Sequence, residues 1–125
     1  MLVADDDPAI LRLVTTLVEK EGYEVVTARD GREAYKILQS DADFAAAVLD
    51  VVMPGIEGPE LVRHMRSEKR LMGIPVIMMT AEQNPKFSSD SFSAGASVFI
   101  PKPFNSSQLQ NMLRMLVNKA SKVKE

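Results

Sequence analysis

Short apolar runs recur along the chain, and each is followed by a segment in which apolar residues return at helical spacing. The runs cover residues 1–4, 23–28, 44–49, 75–79 and 98–100. The central run, 44–49, shows no alternation of apolar and polar positions, which is typical of a strand covered on both faces, as in a parallel sheet. A strand followed by a helix, repeated in this way, predicts a parallel sheet with right-handed crossovers.

Residues suited to capping stand where the predicted helices begin and end. Asp7 before Pro8 is expected to cap the first helix, which Gly22 closes. Asp30, three residues before Glu33, resembles a capping box for the second helix. The third helix is predicted over Gly58–Arg70. Each of these helices has one apolar face. In the first helix it is formed by Ile10, Leu11, Val14, Leu17 and Val18, and in the second by Ala34, Ile37 and Leu38. In the third it is formed by Leu61, Val62 and Met65, and in the last by Leu109, Met112, Leu113, Leu116 and Val117.

The fourth helix is expected to be the weakest element. Asn84 and Pro85 can cap and start it. Four serines follow, and each lowers helix propensity by up to roughly 0.5 kcal/mol relative to alanine, about 2 kcal/mol together. They are Ser88, Ser89, Ser91 and Ser93. We therefore predict that this helix is short or mobile.

These elements predict one α/β domain over residues 1–125, with three layers (α/β/α), a five-stranded parallel sheet and five helices. The composition is that of a soluble globular protein, with 46% hydrophobic and 26% charged residues. A net charge of −2 without a basic stripe argues against direct nucleic-acid binding. The absence of cysteine excludes disulfides and thiolate metal sites. The sequence shows no signal peptide and no apolar run of about 20 residues, so we expect a cytoplasmic protein that does not enter the membrane.

Polar residues follow the predicted strands where each strand ends. They are Asp5 and Asp6, Asp50, Thr80 and Lys102. Because the carboxyl ends of parallel strands lie along one edge of a sheet, these side chains are expected to converge. Three neighbouring carboxylates repel one another unless a cation intervenes. Oxygen ligands without nearby histidine or cysteine favour a hard ion, and Mg²⁺ fits.

This set of groups predicts phosphoryl transfer to Asp50. A carboxylate can act as a nucleophile and become an aspartyl phosphate. Such a transfer depends mainly on neutralising the charge of the phosphoryl oxygens. Mg²⁺, the Lys102 ammonium and the Thr80 hydroxyl would share that charge, and the small side chain of Ala81 leaves room for the group. A purely structural origin is disfavoured, because so many polar groups at buried strand ends need a ligand to offset their desolvation.

The chain resembles the CheY-like response-regulator receiver domains of two-component systems over nearly its whole length. The resemblance is carried by segments 3–8 (Val-Ala-Asp-Asp-Asp-Pro), 49–55 (Leu-Asp-Val-Val-Met-Pro-Gly), 79–81 (Met-Thr-Ala) and 99–104 (Phe-Ile-Pro-Lys-Pro-Phe). Each is modest alone, but in this order and spacing they are highly specific. The resemblance implies a flavodoxin-like strand order 2-1-3-4-5, which CheY also has.

The resemblance also implies a role for each site residue. Asp50 would be the phosphoacceptor and Lys102 the phosphate-binding lysine, with a cis peptide before Pro103. Thr80 and Phe99 would be the switch residues. The metal ligands would be Asp5, Asp6, Asp50 and the backbone carbonyl of Val52. Val52 and Glu82 occupy the positions that tune reaction rates in this family.

The same resemblance implies the partners. A histidine kinase or phosphotransfer protein would donate the phosphoryl group. The surface of the fourth helix, fifth strand and fifth helix would then change its affinity for a downstream protein or a fused output domain. A phosphorylation-dependent dimer is a further expectation, weakened because Ser97 and Val98 replace acidic residues that form salt bridges in many receiver dimers. The abrupt apolar start at Met1 predicts a preceding residue or two, and whether an output domain follows Glu125 stays open.

Several alternatives stay open at this point. The chain could be a Mg²⁺-dependent phosphatase that passes through an aspartyl phosphate, although its short loops leave little room for a substrate cap. It could also be an interaction module that works without phosphorylation. Asp7 is expected to be a cap and no ligand, Phe99 could belong to the core, and His64 is predicted to be a solvated surface residue.

Overall fold

A computed structural model describes residues 1–40, 43–80, 95 and 98–123 of the chain. The strands are β1 (Leu2–Ala4), β2 (Val26–Ala28), β3 (Ala47–Asp50), β4 (Val76–Thr80) and β5 (Val98–Pro101). The helices are α1 (Pro8–Lys20), α2 (Gly31–Ser40), α3 (Gly58–Ser67) and a C-terminal helix (Ser106–Val123). The fourth helix predicted from Asn84 onward lies outside the described residues.

The five strands form one parallel sheet in the order β2-β1-β3-β4-β5, which confirms the predicted fold class. β1 pairs with β3 so that Ala4 lies opposite Leu49, and β3 pairs with β4 so that Asp50 lies opposite Met79. Among the described helices, none is long and apolar enough to cross a membrane.

Side chains of alternate strand residues enter two separate cores, one on each face of the sheet. In β1, Leu2 and Ala4 pack under α2 and α3, whereas Val3 packs under α1 and the C-terminal helix. Most of the predicted helix residues are buried: Val14, Leu17 and Val18 in α1, Ala34 and Leu38 in α2, Leu61, Val62 and Met65 in α3, and Leu109 and Leu113 in the C-terminal helix. Ile10, Leu11, Ile37, Met112 and Leu116 are only partly buried, and the side chain of Val117 lies outside the described part of the structure. Both faces of the sheet are therefore covered, as the unalternating central run predicted.

Several helix and strand boundaries differ from the predictions. β2 begins at Val26 instead of residue 23, because its only neighbour, β1, has three residues to pair with. α3 ends at Ser67 instead of Arg70. The amide of Glu68 bonds the carbonyl of Met65, and the chain then turns to bury Leu71 completely. Propensity could not place that end, since the burial of Leu71 determines it.

The predicted caps are present at the first two helices. The Asp7 side chain accepts a hydrogen bond from the amide of Ala9, and that of Asp30 accepts one of 2.8 Å from the amide of Glu33. The α1 end is followed by Gly22 with φ +91°, a conformation that glycine adopts without strain.

The start of α2 depends on the absence of a side chain at Gly31. Its amide donates to the carbonyl of Pro54, and a Cβ built there would overlap the backbone carbonyl of Ile56. We expect Gly31→Ala to lower the free energy of unfolding by about 2–3 kcal/mol, because backbone on both sides must shift to accept the methyl group. Urea unfolding followed by circular dichroism measures this.

The matched control for Gly31→Ala is Gly73→Ala. A Cβ at Gly73 meets no heavy atom of the described residues within 4 Å. That substitution should leave stability unchanged or raise it by up to about 1 kcal/mol, because alanine restricts the unfolded chain. Equal effects of the two substitutions would contradict the steric explanation.

Candidate functional site

Three acidic residues meet at the carboxyl edge of the sheet, as the strand ends predicted. Asp5 directly follows β1 and is fully buried, while Asp50 is the last residue of β3 and is 6% exposed. Asp6, the next residue after Asp5, is exposed. One carboxylate oxygen of each lies within 4.8 Å of the others, and no other such acidic or histidine cluster occurs in the part of the chain that the structure describes.

Lys102 reaches this cluster from the end of β5. Its Nζ lies 2.7 Å from Asp5 Oδ2 and 3.4 Å from Asp50 Oδ2. The backbone holds it there, because the Lys102 amide donates a 2.6 Å hydrogen bond to the Thr80 carbonyl. The peptide bond between Lys102 and Pro103 is cis. A single ammonium thus bridges two buried carboxylates, and it lies closer to Asp5 than to Asp50.

The burial of these charges shifts their proton affinities. Desolvation by burial, followed by the negative charge of Asp5, raises the pKa of Asp50 from 3.8 to about 6, although Lys102 opposes the shift. Burial by itself lowers the pKa of Lys102, but the hydrogen bond to Asp5 and the charge of Asp50 outweigh it, so the pKa of Lys102 is raised. Asp50 is therefore a carboxylate held in the charged state against repulsion that one lysine only partly relieves.

The cluster fits a divalent cation. Its three carboxylates carry more negative charge than the Lys102 ammonium neutralises, and the raised pKa of Asp50 reports that imbalance. The available donors are all oxygens, and Asp6 stays open to water. Magnesium prefers such ligands and keeps several water molecules when it binds. The residues present thus match the predicted Mg²⁺ site.

The raised pKa of Asp50 predicts how stability depends on pH without Mg²⁺. The Asp50 carboxyl group has a higher pKa in the folded protein than in the unfolded chain. Its contribution to stability is therefore fully present at low pH, where the folded and the unfolded protein are both protonated. That contribution is lost as the pH rises through the folded pKa of about 6. From about pH 4 to about pH 7 we expect this group to lower the free energy of unfolding by about 2 kcal/mol. Urea unfolding at each pH in Mg²⁺-free buffer measures it.

The comparison for that pH series is Asp50→Asn, which has no proton to exchange at this position but keeps every other titrating group. The difference in unfolding free energy between the two proteins should grow as the pH rises. Parallel pH profiles of the two proteins would show that Asp50 does not titrate in this range.

The two predicted switch residues lie on neighbouring strands. Thr80 ends β4, is 1% exposed and lies opposite Pro101 of β5. Phe99 is partly buried in β5, opposite Met78, and its ring packs against the core under α2 and α3. This position is compatible with both interpretations of Phe99, a core residue or a ring that moves.

The remaining predicted site residues are more peripheral. Val52 lies in the loop after β3, two residues beyond Asp50, and its side chain is 46% exposed. Pro103 is exposed beyond the cis peptide bond. Glu82, Ala81 and the predicted fourth helix with its surface lie outside the described residues.

Two contacts that support the acidic cluster were not predicted, one at a glycine and one at a backbone amide. A Cβ at Gly58 would overlap the carbonyl oxygen of Asp50, so the first residue of α3 must lack a side chain for β3 to end where it does. The amide of Asp7 donates a 2.9 Å hydrogen bond to Asp5 Oδ1 and fixes that carboxylate. The pair of Gly58 and Pro59 at a helix start was the only signal in the sequence for such a close approach.

Two side chains of α3 make contacts that the sequence did not indicate. His64 lies at the surface, where it hydrogen-bonds Gln39, but it is only partly solvated because its ring centroid lies 4.6 Å from that of Tyr35. Arg66, at the end of α3, donates to the backbone carbonyls of Gly95, Met72 and Ile74. Desolvation lowers the pKa of this guanidinium. No sequence pattern marks either contact, because both join segments that are distant in the chain or lack regular structure.

Comparison with known proteins agrees with this geometry. Residues 1–114 match the family model described as "Response regulator receiver domain". The chain is 32% identical over 122 residues to the response regulator SaeR of Staphylococcus aureus. That match covers 98% of this chain and 52% of SaeR, so the chain spans about half the length of this relative.

Solved structures show the same architecture. The chemotaxis response regulator CheY4 of Vibrio cholerae superposes with a TM-score of 0.85 at 34% identity, covering 92% of this chain and 95% of CheY4. The receiver domain of a signal transduction histidine kinase from Syntrophus aciditrophicus gives a TM-score of 0.86 at 30% identity, with coverage of 94% and 89%. At these identities the likeness indicates membership of the same family as well as the same fold.

Proposed function

The chain belongs to the response regulator receiver domain family, and from this membership and the site geometry we propose that it is a switch operated by phosphorylation of Asp50. Receiver domains of this family are signalling proteins of two-component systems and not turnover enzymes. The observation that carries the proposal is the position of Lys102, whose ammonium lies within 3.4 Å of Asp50 Oδ2 at the edge where Asp5 and Asp6 also converge.

In the proposed reaction, an oxygen of the Asp50 carboxylate attacks the phosphorus atom of the donor. A P–O bond forms to Asp50 while the bond from phosphorus to the leaving group breaks, and the leaving group departs with the electron pair and takes a proton from water. The attacking carboxylate has to be ionised, and even without a bound cation a pKa of about 6 leaves it mostly charged at neutral pH.

The residues around Asp50 supply the charge compensation that phosphoryl transfer requires. Lys102 is already placed to pair with an oxygen bonded to Asp50. Asp5, Asp6, Asp50 and the Val52 carbonyl would hold Mg²⁺, which supplies positive charge to the phosphoryl oxygens when bound. Thr80, buried at the end of the neighbouring strand, would give its hydroxyl hydrogen bond to the same group.

The proposed output is a change in partner affinity. Movement of Thr80 toward the phosphoryl group would leave space that the partly buried ring of Phe99 can enter, since that ring packs against the core. Two packings of β5 that differ in their affinity for a phosphorylated Asp50 are sufficient to make a switch. The donor is proposed to be a histidine kinase or phosphotransfer protein, and the receiver of the signal a downstream protein or a fused output domain.

The exposed Val52 side chain predicts a slow loss of the phosphoryl group. Valine offers no hydrogen bond that could orient an attacking water molecule near Asp50. We expect Val52→Asn to shorten the half-life of the phosphorylated protein several-fold, up to about tenfold, which corresponds to ~1.4 kcal/mol of barrier. The decay is followed by mass spectrometry after the donor is removed.

Val26→Asn is the matched control for that measurement. Val26 is also an exposed valine, at 40%, but it pairs with Leu2 at the start of β1, at the opposite edge of the sheet from Asp50. Its replacement should leave the half-life unchanged. An unchanged or longer half-life in Val52→Asn would contradict the role given to this position.

The proposal is tested by incubating the protein with Mg²⁺ and a small phosphodonor and recording its intact mass. The mass should increase by one phosphoryl group, and fragmentation should place that group on the peptide that contains Asp50. Removal of Mg²⁺ with a chelator should suppress the gain. Modification that maps to another residue, or that proceeds equally with the chelator, would overturn the proposal.

A further inference from the structure

A groove that adjoins the acidic cluster at Asp6 lies between α1 and the end of β2. Its volume is about 270 Å³, close to the lower limit of roughly 300 Å³ for pockets that hold small molecules. Its floor includes the apolar side chains of Pro8 and Leu11. The full lining is formed by Asp6, Pro8, Leu11, Arg12, Thr15, Thr27 and Arg29. Of these residues, only Asp6 also takes part in the proposed phosphorylation.

Thr15, one of the lining residues, has a buried hydroxyl oxygen without a hydrogen-bond partner among the described residues. The next residue shows the usual behaviour of threonine inside a helix, because the Thr16 hydroxyl donates a 2.9 Å hydrogen bond to the carbonyl of Arg12, four residues earlier. A buried hydroxyl left without a partner costs free energy that a bound ligand can recover. Thr15 therefore places one unsatisfied polar atom in the wall of the groove.

The charges along the groove favour an anion. Arg12 and Arg29 are both exposed, and neither guanidinium has an ion pair or a side-chain hydrogen bond within the described part of the chain. Asp6 is the single acidic residue in the lining, so the groove carries net positive charge although the whole chain carries −2. A guanidinium can bind a carboxylate through two parallel hydrogen bonds.

We propose that this groove binds a small organic acid, with its carboxylate at Arg12 and Arg29 and a short apolar or aromatic body against Pro8 and Leu11. The Thr15 oxygen is buried in the free protein, so the hydroxyl would have to rotate toward the groove to donate to the bound molecule. The volume accommodates a ligand of about the size of one aromatic ring with its acid group. The site depends on no step of the proposed phosphorylation, so either can fail alone.

The test uses sodium benzoate as the probe and benzyl alcohol as the uncharged comparison. Isotope-labelled protein is titrated with each compound while its amide resonances are recorded. Benzoate should produce saturable shifts confined to the groove, at Leu11, Thr15, Thr27 and Arg29, and should bind at least tenfold more tightly than benzyl alcohol. Shifts that do not saturate, or equal affinity for the two compounds, would overturn the proposal.

Substitutions of charged residues test whether Arg12 and Arg29 bind the carboxylate of benzoate. Arg12→Met and Arg29→Met should each weaken benzoate binding about tenfold, because each removes a charge-assisted hydrogen bond. Lys20→Met, an exposed cation at the other end of α1, is the matched control and should change the affinity little. If Lys20→Met weakens binding as much as either arginine variant, benzoate is responding to overall charge and the site is excluded.

Thr15→Val tests the unpartnered hydroxyl with two measurements. Valine has nearly the shape of threonine without the oxygen, so the melting temperature of the free protein should stay the same or rise. Benzoate binding should weaken severalfold. A lower melting temperature would mean that the hydroxyl has a partner within the fold, and unchanged benzoate affinity would mean that it does not contact the ligand.

Discussion

Asp50→Asn is expected to abolish phosphoryl incorporation from a small phosphodonor while making the Mg²⁺-free protein more stable. The amide is not a nucleophile, so the proposed acyl phosphate cannot form at this position. The same substitution removes a buried negative charge that repels Asp5 and whose pKa is raised to about 6. At neutral pH the free energy of unfolding should rise by about 2 kcal/mol.

Intact-mass measurement and urea unfolding of the same preparations give the two results. Asp7→Asn is the matched control, since it makes the same chemical change two residues from Asp5. The Asp7 side chain is exposed and caps α1, and asparagine caps a helix about equally well. Asp7→Asn should therefore incorporate the phosphoryl group as the wild type does.

Each result of the Asp50→Asn experiment has a separate meaning. Continued incorporation would show that another residue accepts the phosphoryl group and would end the proposal. Loss of incorporation together with lower stability would keep Asp50 as the acceptor but contradict the electrostatic description of the cluster. Stabilisation by Mg²⁺ should also shrink in Asp50→Asn, because one anionic ligand is lost.

Lys102→Met, in contrast to Asp50→Asn, is expected to lower the stability of the protein strongly. It removes the cation that lies 2.7 Å from Asp5, a carboxylate with no exposed surface, and 3.4 Å from Asp50. Removing one member of a buried ion pair typically costs about 3–5 kcal/mol, because the other charge stays buried without compensation. Urea unfolding in Mg²⁺-free buffer at neutral pH should show a decrease of about 3 kcal/mol.

Added Mg²⁺ should recover part of that loss. The cation can compensate the carboxylates that Lys102 leaves unpaired, so the increase in stability on adding Mg²⁺ should be greater in Lys102→Met than in the wild type. Phosphoryl incorporation should be slowed by about a hundredfold, because one of the charges that face the phosphoryl oxygens is missing.

Lys36→Met serves as the control for Lys102→Met. Lys36 is an exposed lysine on α2, and the described residues provide it with no ion pair. Its replacement should change stability by less than about 0.5 kcal/mol. If the two lysine variants lose equal stability, the cost comes from the lost charge of the chain and not from the buried pair.

The sheet and the position of the acidic residues could be predicted because both depend on local patterns. Apolar runs marked all five strands, and a polar residue directly after a run must lie at the carboxyl edge of a parallel sheet. The caps at Asp7 and Asp30 were likewise local, since a side-chain oxygen and the amides it accepts from are two or three residues apart.

Other features depend on contacts between distant segments and could not be predicted. The preference of Lys102 for Asp5 over Asp50 follows from the path of β5 relative to β1 and β3, which no sequence pattern specifies. The contact between His64 and Tyr35 depends on how α2 and α3 pack side by side. The end of α3 depends on where Leu71 finds space in the core.

Gly58 and Arg66, at the two ends of α3, join the acidic cluster to the fifth strand by a second route. Gly58 packs against the backbone of Asp50, and Arg66 holds the carbonyl of Gly95, three residues before β5 begins. β5 leads back to Asp50 through Lys102, so these contacts form a closed loop. Asp50 is thus connected to the chain on both sides of β5, directly at Lys102 and through α3 at Gly95.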